Sequence, residues 1–343
     1  MNTLCKICTV CLSLLLFASC AEPTAPLKVL QLNTWFECSK VENGTQALAD
    51  IIQDTDPEVV FLCEVWHEPF LTELLDSLQA RGIQYYGAHE DISALILSKY
   101  PLEGVHSTFS KEKWGAKANI ECAGQPIALY SLHLDWKHYE CYMPRGYSGA
   151  TWKKIEAPAT DADSVLAANR ISKRDEEIAA FIKDAQRERD QGSLVILGGD
   201  FNEPSHLDWQ EDTKDLRNHN GLVVNWDCSY MLQQAGYRDA YREIYPNAVT
   251  HPAFTYPAGN KYVAPKELLW TECVDDRDRI DFIYYYPEDN ISLKSIQLVG
   301  PVEDFYKGKV TVVEHTKDSI LTPSSIWPTD HKGNLAVFEI KNR

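Results

Sequence analysis

Short apolar runs recur along this chain, and a polar side chain follows almost every one of them. Leu27–Leu32, Val59–Cys63 and Leu194–Gly199 are examples, each five or six residues long. Runs of that length between polar boundaries are typical of buried strands. Helical periodicity appears between them only at irregular intervals, so the pattern favours a mixed α/β sandwich over a strict alternation of strands and helices.

The same patterns give approximate positions for the elements. Helices are predicted over 45–53 and 68–80, and the longest helical periodicity covers 164–190. Strands are predicted over 27–32, 58–63, 92–98, 114–122, 126–134, 193–198, 279–286, 293–299, 309–315 and 334–340. No internal repeat or linker-like stretch divides residues 27–343, which we interpret as one domain, although 343 residues would also suit two.

The first twenty residues are typical of an export signal. One charged residue, Lys6, precedes the apolar run Ile7–Phe17, which is too short to span a bilayer. The run leads into Ala18-Ser19-Cys20, which resembles a bacterial lipobox, although Phe17 stands where Leu is usual. We expect residues 1–19 to be cleaved, Cys20 to be lipidated, and residues 20–26 to tether the protein to a membrane. The protein would then be exported to the periplasm, the outer membrane or the cell surface; the alternative is ordinary secretory cleavage near Ser19.

The charge and the cysteine content of the chain limit which partners and which metal sites we expect. With 33 basic and 50 acidic residues, the chain has a net charge of −17 with neutral histidines. Such a chain is repelled by polyphosphate, so we expect no stable nucleic-acid complex, and we expect a monomer. Six cysteines follow Cys20 without a Cys-x-x-Cys pair, so a structural zinc site is not expected and no disulfide pairing is selected.

Eight polar side chains stand at or near the ends of predicted strands. Strand ends on one edge of a sandwich converge, so these groups are expected to face a common cleft. Singly, each also suits a turn or a satisfied surface group, whereas together they predict a site. They are Asn33, Glu64, His133, Asp200, Asn202, Asp281, Asp330 and His331.

The segments that carry these residues resemble, in order, the motifs of the endonuclease/exonuclease/phosphatase superfamily, the DNase I-like metal phosphoesterases. The resemblance implies a four-layer αββα sandwich with the site at one edge of its two sheets. The matching segments are Leu32–Trp35 (LNTW), Asp56–Val65 (DPEVVFLCEV), Ser131–Leu134 (SLHL), Gly198–Asn202 (GGDFN), Asp278–Ile283 (DRIDFI) and Thr329–His331 (TDH).

A metal ion suits this set of residues. The phosphorus of a phosphate ester is shielded by anionic oxygens, so hydrolysis calls for a hard cation that neutralises them. Asn33 and Glu64 offer the oxygen ligands that Mg²⁺ prefers, with Mn²⁺ as the alternative ion. The resemblance implies that Asp330 lies at the same metal or at a second one.

The resemblance also implies roles for the remaining residues. Asp200 would orient the attacking water and Asn202 would contact the phosphate. His331 would work with Asp281, as an imidazole steered by a carboxylate. His133 would donate to a phosphate oxygen or protonate the leaving group, and its acid partner is not evident in the sequence.

The segment 137–163 mixes cationic and aromatic residues, and from it we predict Arg145, Trp152, Lys153 and Lys154 as substrate-binding. Cations interleaved with aromatic rings suit an anion that also has a flat or apolar part. The alternative is a solvated loop whose aromatic residues pack on the sandwich.

These observations together predict an exported, metal-dependent phosphoesterase that hydrolyses a small, lipid-linked or sugar-linked phosphodiester. One alternative is a secreted scavenging nuclease of the same fold. The other is a surface-binding lipoprotein without activity, which the intact set of eight polar residues argues against.

Overall fold

The structure is a computed structural model that describes residues 23–88, 93–106, 114–271 and 273–343. The predicted signal segment and the predicted lipidation of Cys20 lie outside the described residues. Within those residues, no helix is both long enough and apolar enough to cross a membrane.

The described residues form fifteen strands and seven α-helices. The strands are β1 (Thr24–Asn33), β2 (Val59–Cys63), β3 (Tyr86–Ala88), β4 (Ala94–Ser98), β5 (Glu103–His106), β6 (Gly115–Cys122), β7 (Gln125–His133), β8 (Leu194–Asp200), β9 (Arg238–Asp239), β10 (Asp281–Tyr285), β11 (Ile291–Val299), β12 (Asp304–Tyr306), β13 (Lys309–Thr311), β14 (Ile320–Leu321) and β15 (Gly333–Lys341). The helices are α1 (Gly44–Thr55), α2 (Glu68–Ala80), α3 (Ala162–Asn169), α4 (Arg174–Asp190), α5 (Asp227–Gln234), α6 (Ala240–Ile244) and α7 (Pro265–Leu268).

Most of the strands belong to two sheets that pack face to face. The strand order is β14-β11-β15-β1-β2-β4-β3 in the first sheet and β5-β6-β7-β8-β10-β9 in the second. Apolar side chains from both sheets fill the space between them, among them Val29 and Phe61 from the first and Leu129 and Ile196 from the second. Strands β12 and β13 form a separate hairpin.

Helices cover the outer face of each sheet. Because successive side chains of a strand point to opposite faces, Val60 and Leu62 of β2 pack outward against α1 and α2. On the second sheet, Tyr130 of β7 and Leu197 of β8 pack outward against α4 and α5. The predicted four-layer αββα sandwich is therefore confirmed.

The predicted helix over 164–190 is divided in two, which corrects the sequence expectation. A 3₁₀ turn follows α3, and Lys173, directly before α4, has φ 62°. The break has a packing reason: Arg174, the first residue of α4, is buried. Its guanidinium donates to three backbone carbonyls within residues 135–138, at 2.6, 2.9 and 2.8 Å. A continuous helix would not place that side chain there.

All six cysteines after Cys20 are free thiols in the structure, and all except Cys273 are buried. Cys63 is a small core residue. Burial raises the pKa of its thiol well above the ordinary value, and the nearby Asp200 carboxylate adds to that effect.

Candidate active site

The ends of the central strands bring the predicted residues together. In the second sheet, His133 of β7 and Asp281 of β10 are both register partners of Asp200, at the end of β8. In the first sheet, Asn33 ends β1 next to the end of β2, which Glu64 follows. The predicted convergence at one edge of the sandwich is confirmed.

The two glycines before Asp200 are required by close packing between the sheets. A Cβ on Gly198 would lie 2.4 Å from Cδ2 of Phe61, which projects from the opposite sheet. Gly199 has φ 152°, and a Cβ there would lie 2.0 Å from the carbonyl oxygen of Leu132. No side chain fits at either position. Asp200 can therefore reach the sheet edge only if glycines precede it.

Asn33 joins two of the acids. Its amide nitrogen donates to Glu64 Oε1 at 3.2 Å and to Asp200 Oδ2 at 2.9 Å. Its amide oxygen accepts the Trp35 backbone N–H at 2.8 Å. That hydrogen bond uses one of the two lone pairs of the amide oxygen, and the use of Asn33 as a metal ligand stays a prediction. Here Asn33 orients the two carboxylates.

A buried carboxylate holds the His331 imidazole. Nδ1 of His331 lies 2.8 Å from Oδ2 of Asp281, and Gln31 Nε2 donates to the other oxygen of that carboxylate at 2.8 Å. The Asn334 amide donates to Gln31 Oε1 and to the Asp281 carbonyl, both at 3.1 Å. The predicted pairing of His331 with Asp281 is present. Gln31 and Asn334, which no motif indicated, fix its orientation.

The other imidazole nitrogen of His331 faces two further acids. Nε2 lies 3.9 Å from Asp200 Oδ2 and 3.8 Å from Asp330 Oδ1. Burial lowers the pKa of His331, but Asp281 and the neighbouring acids outweigh that effect and raise it to about 10. The imidazole is thus protonated near neutral pH, and Nε2–H is available as a donor to the cleft.

The cleft holds more acid than its one protonated histidine balances. Burial first, and then a neighbouring carboxylate, raises the pKa of both Asp200 and Asp330 to about 7. Oδ1 of Asp330 is buried and has no hydrogen-bond partner among the residues that the structure describes. An orphaned carboxylate oxygen among other acids fits a hard divalent cation, which takes oxygen ligands.

Position in the cleft decides which acids would hold that cation. One ligand atom from each of Asp200, Asp281 and His331 lies within 4.8 Å of the other two. Asp281 pairs with the His331 imidazole and does not line the cavity, whereas Glu64, Asp200 and Asp330 do. These three acids are the ones that would hold a metal.

His133 and Asn202 complete the polar side of the cleft. Nδ1 of His133 lies 2.8 Å from Oγ of Ser93, so its partner is a hydroxyl rather than an acid. Burial lowers the pKa of His133, which keeps the ring neutral near pH 7. The Asn202 backbone N–H donates to Asp200 Oδ1 at 2.8 Å, and its amide donates to the Leu134 carbonyl at 2.9 Å.

Aromatic rings form the rest of the cleft, a cavity of about 270 Å³. Apart from Glu64, His133, Asp200, Asn202, Asp330 and His331, nearly all of its lining residues are aromatic, and none of the described residues that line it is a lysine or arginine. The aromatic lining residues are Trp35, Phe36, Trp66, Trp136, Tyr139, Trp152, Tyr256 and Trp270. Of these, only Trp152 was predicted to bind substrate.

The predicted cationic residues Arg145, Lys153 and Lys154 are not among the described residues that line this cavity, which corrects the sequence expectation. The Arg145 side chain has no exposed surface, and its guanidinium pairs with Asp278 at 2.7 Å beneath the segment. Lys153 and Lys154 are exposed and lie outside the cavity lining. Tyr139 and its neighbours pack in an apolar cluster with Trp209 and Trp226. Most of the segment thus packs on the sandwich, and only its aromatic edge faces the cleft.

Glu37 is a positioning residue that sequence reasoning missed. Its carboxylate accepts the backbone N–H groups of Trp66 and His67, both at 2.7 Å. It reaches them because residues 35–38 all have positive φ, between 47° and 59°, and form one left-handed turn. The same turn lets the Phe36 N–H donate to Glu64 Oε2 at 2.8 Å. No motif marks Glu37, because its partners, two backbone N–H groups and the His67 imidazole, belong to another loop.

Known proteins share both the sequence pattern and the fold. The Endonuclease/Exonuclease/phosphatase family matches residues 30–331. An uncharacterized protein of Caenorhabditis elegans is 29% identical over 264 residues, which are 76% of this chain and 78% of that protein.

Solved structures show the same fold at low sequence identity. Truncated Caenorhabditis elegans TDP2 is 18% identical with a TM-score of 0.50, over 91% of this chain and 97% of that one. D. rerio TDP2, complexed with single strand DNA product, is 15% identical with a TM-score of 0.51, over 92% and 99%. A family protein from Bacteroides thetaiotaomicron is 12% identical with a TM-score of 0.51, over 93% and 99%.

The match extends from β1 to His331 and therefore includes every strand end that supplies a polar residue to the cleft. The family is metal-dependent, and the acidic cluster of this cleft is consistent with that chemistry. This chain belongs to the endonuclease/exonuclease/phosphatase family and is a phosphoric-ester hydrolase with a DNase I-like fold.

Proposed function

We propose that the protein is a phosphodiesterase that uses Mg²⁺, or Mn²⁺ in its place, to hydrolyse a small phosphodiester by in-line attack of water. One observation carries the proposal: the acidic cleft opens into an aromatic cavity, and no lysine or arginine is among the described residues that line it. Its volume of about 270 Å³ is at the small end for ligand sites and suits one phosphodiester group with a compact substituent.

The arrangement of the side chains supports a role for each. When bound, the cation would neutralise the phosphate oxygens. Asp200, fixed by the Asn33 amide and the Asn202 N–H, is placed to accept a proton from the attacking water. His331 donates through Nε2 to a phosphate oxygen, while Asp281 holds its ring. His133, whose ring borders the cavity, would protonate the leaving group.

A nuclease is the second candidate. Its support is that D. rerio TDP2, a structural neighbour, is complexed with single strand DNA product, and that aromatic rings can stack on unpaired bases. Against it stand the net charge of −17 and the lack of a lysine or arginine in the part of the cavity lining that the structure describes. A nuclease that holds several phosphates needs a basic footprint.

A substrate panel separates the two candidates. Purified protein is assayed on aryl and alkyl phosphodiesters, phospholipids, sugar phosphates, single-stranded DNA and plasmid DNA, with Mg²⁺ or with excess chelator. We expect a small diester to give the highest kcat/KM and chelator to abolish the activity. A His331→Gln variant, purified identically, measures contaminating hydrolase. Full activity in chelator would exclude the metal proposal, and faster cleavage of DNA than of any small diester at physiological salt would favour the nuclease.

The cellular location is proposed from the N-terminal sequence alone. We propose that the protein is exported and anchored through a lipid on Cys20. Metabolic labelling with a tritiated fatty acid tests this, because Cys20→Ser should remove the label and release the protein from the membrane fraction. Equal labelling of both forms would contradict the anchor.

A further inference from the structure

We propose that Asp304 is a positioning residue for the hydrolysis, because its carboxylate joins the two chain segments that carry His331 and Asp281. This inference rests on the proposed phosphodiesterase function, which gives His331 its role, and adds to it a residue of the hairpin β12–β13. Asp304 belongs to none of the motifs at the strand ends and is not among the described residues that line the cavity. Three observations support the proposal: its ion pairs, the place of its partners in the chain and the backbone contacts of the hairpin.

Each oxygen of the Asp304 carboxylate contacts a different buried cation. Lys332 Nζ donates to Oδ1 at 2.6 Å, and Arg277 Nη1 donates to Oδ2 at 3.1 Å. The side chains of Lys332, Asp304 and Arg277 are only 3%, 9% and 2% exposed, so the three groups form one bridge away from solvent. Asp275 holds the other side of the Arg277 guanidinium, accepting from Nε and Nη2 at 2.8 Å each. Glu314 also lies 3.6 Å from Arg277 Nη1, but its side chain is 42% exposed. Asp304 is therefore the buried group that connects the two cations.

The two cations lie close in the chain to the residues of the catalytic pair. Lys332 directly follows His331, and Arg277 lies four residues before Asp281, the first residue of β10. The two segments also meet at the 2.8 Å contact between His331 Nδ1 and Asp281 Oδ2. One hydrogen bond leaves the imidazole free to swing about it, whereas a second link through Asp304 restrains the backbone next to the ring. The bridge therefore helps to hold Nε2 of His331 towards the cleft.

Backbone hydrogen bonds hold the hairpin in place independently of the bridge. The segment 257–259 lies between β12 and the loop before β15. On one side, the Phe305 N–H donates to a carbonyl of that segment at 3.1 Å. On the other side, the Ala258 N–H donates to the Asp330 carbonyl at 2.6 Å. Because these bonds do not use the Asp304 side chain, we expect a variant at that position to retain the hairpin.

Stability alone does not account for the buried charges. Removing charged groups from water costs free energy that their mutual attraction often does not exceed, and apolar residues of similar size can replace such a pair without loss. A buried bridge does fix geometry, because the planar guanidinium of Arg277 donates only in set directions and each carboxylate oxygen of Asp304 has its own partner. A positioning role and a purely stabilising role predict different results for the same variants.

The kinetics of Asp304→Asn test the role. The amide keeps the shape of the side chain but not its charge, so Lys332 and the adjoining His331 are no longer held in place. We expect kcat on the best diester of the panel to fall about tenfold to a hundredfold and KM to change less than about twofold, since misplacing a catalytic group by about 1 Å costs rate rather than binding. Rates are measured well below the Tm of each protein. An unchanged kcat, whatever happens to KM, would overturn the proposal.

Asp184→Asn is the matched control for the loss of a buried ion pair. Asp184 of α4 pairs with Lys117 of β6 at 2.6 Å, the same distance as in the pair of Asp304 and Lys332. Neither Asp184 nor Lys117 is among the described residues that line the cavity. If buried pairs act only on stability, both variants lower the Tm and neither changes kcat. We expect only the control to follow that pattern, and an equal fall of kcat in both variants would overturn the positioning role.

Proton NMR reports on the His331 ring without any substrate. A ring N–H that donates to a buried carboxylate resonates far downfield and exchanges slowly with water, because the hydrogen bond is charge-assisted and shielded. Near neutral pH we expect such a signal from Nδ1 in the wild type and none in His331→Gln. The signal should broaden or disappear in Asp304→Asn and persist in Asp184→Asn. No such signal in the wild type, or an unchanged signal in Asp304→Asn, would overturn the proposal.

The two readouts keep this proposal apart from the phosphodiesterase function. If no phosphodiester is hydrolysed but the His331 signal depends on Asp304, the proposed function fails and the positioning of the ring by Asp304 stands. If phosphodiesters are hydrolysed while kcat and the signal are the same in Asp304→Asn as in the wild type, the positioning role fails and the function stands.

Discussion

Glu37 has no part in the chemistry, but it ties together the two loops that supply the first sheet's side of the cleft. Its carboxylate accepts two backbone N–H groups of the loop after β2, directly beyond Glu64. Glu64 itself has φ 60°, a conformation that a non-glycine residue keeps only when its surroundings enforce it. The Glu37 carboxylate is the part of those surroundings that a substitution can remove.

We therefore predict that Glu37→Ala weakens metal binding. Two charge-assisted hydrogen bonds disappear, each worth about 1.5–3 kcal/mol, and the Mg²⁺ concentration for half-maximal rate should rise roughly tenfold or more. Glu37→Gln keeps an oxygen that can accept both N–H groups and should restore most of the affinity. The measurement is a Mg²⁺ titration of the initial rate for both variants. An unchanged titration for Glu37→Ala would show that Glu64 is held by other contacts.

The residue scale also shows what the motifs could and could not predict. Asp281 and His331 were paired correctly, because each lies in a recognisable segment at a strand end. Ser93, the partner of His133, was not found, because it lies forty positions away on the opposite sheet and no local pattern marks it. Arg145 was misassigned. The sequence pattern of a cation among aromatic residues is the same whether the cation faces a ligand or, as here, a buried Asp278.

At the scale of elements, β8 is the strand with the least room for change. It lies between β7 and β10, and its last three residues, Gly198, Gly199 and Asp200, face the opposite sheet and the site. The apolar run before them predicted this strand to within a residue at its start. The break between α3 and α4 was not predicted, because it depends on the burial of Arg174 against a distant loop rather than on any local helix stop.

We predict that Gly198→Ala destabilises the sandwich by about 1–3 kcal/mol, the usual range for overpacking, and also lowers activity. The added Cβ would displace β8 from the Phe61 ring and move Asp200 with it. Denaturant unfolding of Gly198→Ala, Phe61→Leu and the double variant forms a cycle. Because the smaller Leu side chain relieves the clash, the double variant should lose less than the sum of the single losses. If the losses of the two single variants simply add in the double variant, the side chains at positions 198 and 61 do not interact.

At the scale of the whole molecule, the cleft is formed by segments that lie far apart in the chain. Its aromatic wall comes from the turn after β1, the loop after β2, the segments around 136–152 and 256, and the loop after α7. The polar residues at the strand ends could be predicted to converge, because strand ends meet at one edge of a sandwich. The rings lie in loops, whose paths depend on tertiary packing, and their common cavity is visible only in the folded chain.

The fold also buries several acids close together. Its stability therefore depends on pH and on whether a metal ion is bound. Burial raises the pKa of Asp200 and Asp330 to about 7 from the ordinary value of 3.8. Between those values the folded state binds more protons than the unfolded state, so stability falls as pH rises from about 4 to about 7. A bound cation would offset that loss, and would stabilise the protein more at pH 8 than at pH 5.

Asp330→Asn tests this link, because we expect it to raise the Tm without metal and to reduce the stabilisation by Mg²⁺. The substitution removes a carboxylate whose Oδ1 is buried without a hydrogen-bond partner among the described residues. At pH 8 without metal we therefore expect the variant to unfold at a higher Tm than the wild type, by a few degrees, since about 1 kcal/mol corresponds to roughly 2–4 °C in a domain of this order of size. The rise in Tm that Mg²⁺ gives the wild type should shrink or vanish in the variant, because a ligand has been lost. Glu73→Gln, at an exposed acid of α2 outside the cavity lining, should change neither quantity. A lower metal-free Tm with an undiminished Mg²⁺ effect would mean that Asp330 stabilises the fold directly and does not hold the metal.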